Sequence, residues 1–297
     1  MQVQWFPGHM NKARKDIRNV LDQVDIVVEV LDARIPYSSQ NPLLATMGAA
    51  KPRVRVFNKI DLADPAIVAL WQAYLEQEQQ VKTLAISADQ TRQAAQVRQL
   101  CRQLTPASKK TRNAVILVAG IPNVGKSTLI NTLAGRAITA TGNEPAITKA
   151  QQRINLGDGL TLLDSPGVLW PNIENIESGY RLAVTGAIRE TAMDYEDTAL
   201  FALHYLKLCY PERLLQRYQL ATLSSNDMEN LQAIGKKTGC LGSGAQVDTT
   251  RAGTRLITEI RAGKFGRLCF ETPQMIALEL AELEARKAAK MMSENSE

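Results

Sequence analysis

The 297-residue chain is poor in the residues that build disulfide scaffolds, metal centres or membrane spans. Its four cysteines, Cys101, Cys209, Cys240 and Cys269, lie far apart with no C-x-x-C pair, and the two histidines, His9 and His204, are remote from them. That spacing argues against a zinc site and predicts reduced thiols. No apolar run approaches the roughly 18 residues that a membrane helix needs. The start, Met-Gln-Val-Gln-Trp-Phe-Pro, has neither the basic flank nor the apolar core of a signal peptide. No membrane partner is expected, and the cytoplasm is the expected location. There is no internal repeat, and the formal net charge of +5 gives only a weak pull toward an anionic partner such as nucleic acid. The length suffices for one full α/β domain and a smaller second one.

The most informative stretch is Gly120-Ile-Pro-Asn-Val-Gly125-Lys126-Ser127, between the apolar run Ala114 to Ala119 and a helix-compatible run from Thr128 to Leu133. It fills every fixed position of G-x-x-x-x-G-K-S, with the preceding strand and following helix that the pattern requires. Glycines at 120 and 125 let backbone N–H groups turn toward phosphate oxygens, and a helix starting near Lys126 adds its positive dipole end. Lys126 can neutralise β/γ charge, and Ser127 can give its hydroxyl to magnesium. Asn123, Val124, Gly125, Lys126, Ser127 and Thr128 are therefore the expected phosphate contacts of a nucleoside triphosphate.

Around this loop the pattern is that of an α/β domain. Strands are expected at Asp25 to Asp32, Arg53 to Phe57, Lys82 to Ile86, Ala114 to Ala119, Gln152 to Leu156 and Leu160 to Leu163. Helices are expected near residues 9–22, 65–77 and 91–104, so about six strands interleave with helices in a mostly parallel sheet. Beyond about residue 175 only helices are expected, over 180–188, 196–208, 227–234, 247–261 and 273–291, with the last fraying at its tail. The expected division is residues 1–175 as an α/β domain and 176–297 as a smaller all-helical one. His204 is expected to be structural, among apolar residues. Arg251 to Arg267 carries five basic residues and one acidic one, a candidate for nucleic-acid phosphate or simply a solvated face.

Asn58-Lys59-Ile60-Asp61 follows the second strand, where α/β folds place ligand loops. The Asp61 carboxylate can accept from guanine N1–H and its exocyclic amine, a pattern that adenine lacks, and adenine would leave the carboxylate unpaired. Asn58 would hold the loop and reach the ring edge, Lys59 would lie over the base, and backbone N–H groups at Ser87 and Ala88 would meet the guanine carbonyl. Asp164-Ser-Pro-Gly167 supplies a second magnesium-side carboxylate and a Gly167 N–H for the γ-phosphate. Thr148 is the candidate for the mobile-loop threonine that closes on magnesium, with Thr139 and Thr141 as alternatives in the same loop. The guanine-reading segments precede the phosphate loop, the reverse of the ordinary GTPase order. The domain is thus expected to be a circularly permuted P-loop GTPase domain, cut after Gly167, with a helical domain attached to that moving segment.

This order, together with Trp5-Phe-Pro-Gly-His-Met10, Asp32-Ala-Arg-Ile-Pro36 before Asn41-Pro42, and Gly179-Tyr-Arg-Leu-Ala-Val-Thr-Gly-Ala-Ile188, resembles the circularly permuted ribosome biogenesis GTPase A family, also called YlqF-like. The resemblance implies a magnesium-dependent GTPase that binds the large ribosomal subunit late in assembly, with the helical domain contacting its rRNA. Family members lack the catalytic glutamine after D-x-x-G, and Val168 stands there in this sequence. An apolar side chain cannot orient water. His9, which the permuted order brings near the γ-phosphate, is the candidate, against the alternative that it caps or packs the start of its helix. The expected catalytic set is His9, Lys126, Thr148 and Gly167, with Ser127, Thr148 and Asp164 on the metal. In similar permuted GTPases the residue at Asn123 accompanies K+ beside the phosphates, the alternative being that Asn123 only fixes the loop. GTP and GDP are the expected ligands of a monomer. Other uses of the same parts are a GTPase for small-subunit assembly or tRNA modification, or a non-catalytic nucleotide-gated scaffold.

Overall fold

The computed structural model describes residues 21–42, 44, 51–105, 113–139, 153–164, 173, 175–188 and 190–294. The expected helix over 9–22 lies almost wholly outside these residues, as do His9, Thr141, Thr148 and Gly167. Six strands, β1 (Ile26–Asp32), β2 (Arg53–Asn58), β3 (Val81–Ala85), β4 (Ala114–Ala119), β5 (Arg153–Gly157) and β6 (Leu160–Asp164), form one sheet in the order β3-β2-β1-β4-β6-β5. All neighbours pair in parallel except β5 and β6, an antiparallel hairpin. Its turn residues Asp158 and Gly159 both have positive φ, the twist-compatible choice for a hairpin.

Every residue of β1 is buried, as a parallel strand covered on both faces requires. Helices α1 (Pro65–Leu75), α2 (Thr91–Leu104) and α3 (Lys126–Ala134) alternate with the strands. Asp64 starts α1 by accepting the Ala66 N–H, with Pro65 in the first turn, where its missing donor is harmless. In the sheet, β2 and β3 lie to one side of β1, and β4, β6 and β5 lie to the other. The connections reverse between β1 and β4, and open α/β sheets bind ligands at the carboxyl ends flanking such a point.

The remainder of the described chain is helical: α4 (Ile176–Thr185), α5 (Tyr195–Cys209), α6 (Pro211–Tyr218), α7 (Asp227–Thr238), α8 (Thr249–Arg261) and α9 (Pro273–Glu294). Helix α6 has no counterpart in the sequence reading. Its eight residues are too few for a periodic signal, and only Leu214 and Tyr218 are buried. Helices α5 and α8 meet at Gly253, where a Cβ would stand 2.9 Å from the Tyr195 carbonyl oxygen. His204 departs from expectation only in its surroundings. It points away from the apolar face of α5, is exposed, and pairs through Nδ1 with Asp227 at 2.8 Å.

After α8 the chain returns to the sheet. Leu268 N–H donates to Leu62 O and Phe270 N–H to Arg34 O, each at 2.8 Å, and Trp71 Nε1 donates to Glu271 O at 3.1 Å. Arg181 of α4, fully enclosed, donates through Nε to Phe270 O at 2.9 Å and grips Glu279 of α9 with both terminal nitrogens. Asn175 adds a third bond to Glu279 at 2.8 Å. Burial raises the proton affinity of Glu279, but the Arg181 and Asn175 hydrogen bonds outweigh it and hold the carboxyl below its usual range. Its stabilising contribution is therefore complete above the unfolded value of about 4.3 and is lost as pH falls from there through the lower folded value. Glu279→Gln is expected to reduce stability at pH 7 by about 1–2 kcal/mol. Urea melts of both proteins should converge on acidification below about pH 4; a gap that widens there would contradict this role.

Candidate active site

The phosphate-loop segment leaves β4 at Gly120, which packs so closely under β1 that a Cβ would stand 2.7 Å from Val30 O. Asn123 (φ 61°) and Gly125 (φ 91°) then turn the backbone through the left-handed region. Gly125 starts α3 without a side-chain cap bond, which sets the positive end of the helix at the loop. Lys126 is buried and Ser127 half-buried on that first turn, with Thr128 beside them.

Asn58, the last residue of β2, joins this loop to the next strand end. Its Nδ2 donates to Val124 O at 2.7 Å, and its Oδ1 accepts the Ala88 N–H at 2.8 Å. The fit leaves no room at Gly125, whose added Cβ would fall 2.1 Å from Asn58 Nδ2. Asp61 is exposed and accepts from Ser87 Oγ at 3.2 Å. Lys59 (φ 65°) turns its ammonium back to Asp32 Oδ2 at 2.9 Å. Asp32 ends β1 and is gripped by Arg34 through Nε at 2.9 Å and Nη2 at 2.7 Å. Burial would raise the Asp32 carboxyl, but Arg34 and then Lys59 hold it well below the usual aspartate range. Burial in turn pushes the Lys59 ammonium down, opposed by Asp32.

One end of the sheet thus gathers Asn58, Lys59, Asp61, Ser87, Ala88 and the segment 123–128, three chain regions of which the Asn58 and Val124 contacts are 66 residues apart and the Asn58 and Ala88 contacts 30. Asp164 closes β6, with its backbone in register with Val118 of β4, one strand from the loop. A family profile described as a 50S ribosome-binding GTPase matches residues 115–231. The chain is 43% identical over 282 residues to ribosome biogenesis GTPase A of Priestia megaterium, covering 92% of this chain and 98% of that protein. The chain belongs to the ribosome biogenesis GTPase A family. It is 31% identical over 275 residues to the Thermotoga maritima member, covering 92% of this chain and 96% of that one. The crystal structure of GNP-bound YlqF from T. maritima matches with a TM-score of 0.63 at 26% identity, over 89% of this chain and 99% of that one. A GDP-bound YlqF structure matches with a TM-score of 0.61.

As a ribosome biogenesis GTPase A protein, the chain is a GTP hydrolase with a role in ribosome biogenesis. The profile begins inside β4, so Asn58, Lys59, Asp61, Ser87 and Ala88 all precede it, in keeping with a permuted order. Some site details differ from expectation. The Ser87 and Ala88 N–H groups are already donated, to Gln93 Oε1 at 2.7 Å and to Asn58, so a guanine carbonyl would have to share or displace those bonds. Asn123 does fix the loop, donating through Nδ2 to Gly186 O at 2.8 Å, and a potassium ion would draw on its Oδ1. Thr139 is committed to the side of α3, its single hydroxyl proton placed to go to Asn131 Oδ1 at 3.1 Å or to Ser127 O at 3.3 Å.

Gln93, Asp32, Arg34 and Gly186 were not read as site residues. Only the position of Asp32 at a strand's carboxyl end could have signalled it. Gly125→Ala is the sharpest test of the geometry. A left-handed alanine costs about 1–2 kcal/mol, and the Cβ must also displace Asn58. Calorimetry should show GTP affinity lowered at least about tenfold with the far-ultraviolet dichroism retained; unchanged affinity would contradict the packing described.

Proposed function

We propose that this GTPase hydrolyses GTP to GDP and phosphate on the maturing large ribosomal subunit and is released from the particle by that step. The observation that supports this is the clamp through Asn58, which ties the phosphate-loop segment to the β2 end whose following turn carries Asp61, read here as the guanine-selective carboxylate. In this reading Asp61 accepts from the purine edge and the Lys59 stem covers the base. Lys126 and the amides of residues 123–128 stabilise charge on the transferred phosphoryl group. Ser127 and Asp164, a hydroxyl on the first turn of α3 and an acid ending the strand beside β4, fit a magnesium ion, with Thr148 completing its set. An Mg2+ ion held there would supply charge neutralisation at the β- and γ-phosphates. Gly167 offers its N–H to the γ-phosphate. His9 orients the attacking water in place of the side chain that Val168 lacks.

Residues 1–175 act in this reading as the GTPase domain and 176–297 as the rRNA-binding one. Of the five cations between Arg251 and Arg267, Arg255 pairs with Glu259, Arg251 donates to Leu241 O, and Arg261 caps α4 and pairs with Glu190. Lys264 and Arg267, both exposed, line a cleft of about 760 Å³ with Arg213, with Arg217, which pairs with Glu259, and with one acid, Asp64, a surface of net positive charge suited to RNA phosphates. No helix among the described residues is long and apolar enough to cross a membrane. Work on the particle and its rRNA is supported by the ribosome-binding description of the matching profile, and a monomer in the cytoplasm is the proposed setting for it.

Phosphate release measured with purified large and small subunits tests this. Stimulation by the large subunit, with protections confined to its RNA, is expected. Stimulation by the small subunit alone, or no rise above the intrinsic rate with either particle, would overturn the proposal.

A further inference from the structure

The segment Asp32-Ala-Arg34-Ile-Pro36 helps mark the family in sequence but has no task in the chemistry above. Its place in the fold suggests one. Asp32 is the last residue of β1, the strand between the β4 end that carries the phosphate loop and the β2 end that carries Asn58. It stands in register with Asn58, and the next residue, Ala33, donates its N–H to Asn58 O at 2.9 Å. The carboxylate is almost fully enclosed, and each oxygen is used. Oδ1 accepts Arg34 N–H at 3.0 Å and Arg34 Nε at 2.9 Å; Oδ2 accepts Arg34 Nη2 at 2.7 Å and Lys59 Nζ at 2.9 Å.

Lys59 is held in a left-handed backbone conformation that a lysine adopts rarely, and its side chain, 24% exposed, turns inward to reach that carboxylate. Two cations, Arg34 and Lys59, share a single buried anion. Remove the anion's charge and they face each other in a medium of low polarity, where the ammonium gains by swinging out to water. Arg34 is anchored from behind, its Nη2 also donating to Thr185 O at 3.3 Å, so Lys59 is the one able to leave.

We propose that Asp32 is a positioning residue for guanine-nucleotide binding: it fixes the ammonium of Lys59, and so the methylene stem that covers the base, without touching the nucleotide itself. The proposal rests on the placement of Lys59 over the base. It predicts a defect confined to the nucleoside half of the ligand, because the phosphate cradle is held by Asn58 and Gly125 instead.

The test is calorimetry of GTP, GDP and inorganic tripolyphosphate on full-length wild type, Asp32→Asn, Lys59→Ala and the double variant. Asp32→Asn should weaken GTP and GDP alike, each by about tenfold, the loss of one charge-assisted contact, and leave tripolyphosphate unchanged. In the Lys59→Ala background Asp32→Asn should do nothing further, since its effect passes through that side chain. Equal weakening of tripolyphosphate, or additive losses in the double variant, would overturn the proposal. If Lys59→Ala leaves GTP affinity unaltered, the placement of Lys59 over the base fails first. If Lys59→Ala weakens GTP and Asp32→Asn does not, only the role of Asp32 fails. Should Asp32→Asn not fold, Lys59→Met decides. It removes the ammonium and keeps an apolar stem, so weakened GTP with unchanged tripolyphosphate supports the pairing, and unchanged GTP overturns it.

Discussion

A single carboxamide holds the nucleotide site together. Asn58 donates to the phosphate loop at Val124 and accepts from Ala88, so the loops that follow β2, β3 and β4 are set relative to one another by two hydrogen bonds from one buried side chain. Neither bond is local in sequence, and nothing within any one loop could replace them. In a chain whose guanine-reading segments come before the phosphate loop, that cross-strand clamp does the work that sequence adjacency cannot. The positive φ of Gly125 is needed for the same reason, because only a residue without Cβ lets the amide approach the turn.

Electrostatics follow from where those loops sit. The sheet's switch point concentrates backbone N–H groups, Lys126 and Lys59 at one edge, and Asp32 supplies compensating charge from the central strand. The helical part is fastened to this edge through the end of α4. The carbonyls of Ala183, Val184, Thr185 and Gly186, at a helix end where regular intrahelical donors run out, accept from Arg261, Arg34 and Asn123, and Ala183 O also takes the capping Gly186 N–H. One helix terminus therefore touches the phosphate loop, the Asp32 cluster and α8 at once. Glu271 and Arg181 extend the contact toward α9, so the returning chain packs against both the sheet and α4.

Much of this was legible in the sequence, for identifiable reasons. β4 is an unbroken apolar run, β1 is one interrupted only by Glu29 before it ends on Asp32, and the phosphate-loop pattern fixes its own strand and helix, so the sheet and the motif ends could be placed. Periodicity failed where burial is sparse or one-sided. Helix α6 buries only two residues, and His204 occupies the solvent stripe of a helix whose middle is otherwise apolar, which composition alone does not resolve. The pairing of Asp32 with Lys59 was invisible because it depends on β1–β2 register, a quantity that no single segment encodes. Gln93, which takes the Ser87 N–H, belongs to a helix read only as scaffold.

The central claim is that base and triphosphate are read in one pocket assembled from separated parts of the chain. Competition binding of GTP and xanthosine triphosphate to Asp61→Asn tests it most directly, because an amide presents the complementary pattern to xanthine. The account requires preference to pass from GTP to the xanthine nucleotide, with the phosphate loop still engaged. Wild-type GTP preference in that variant would contradict it.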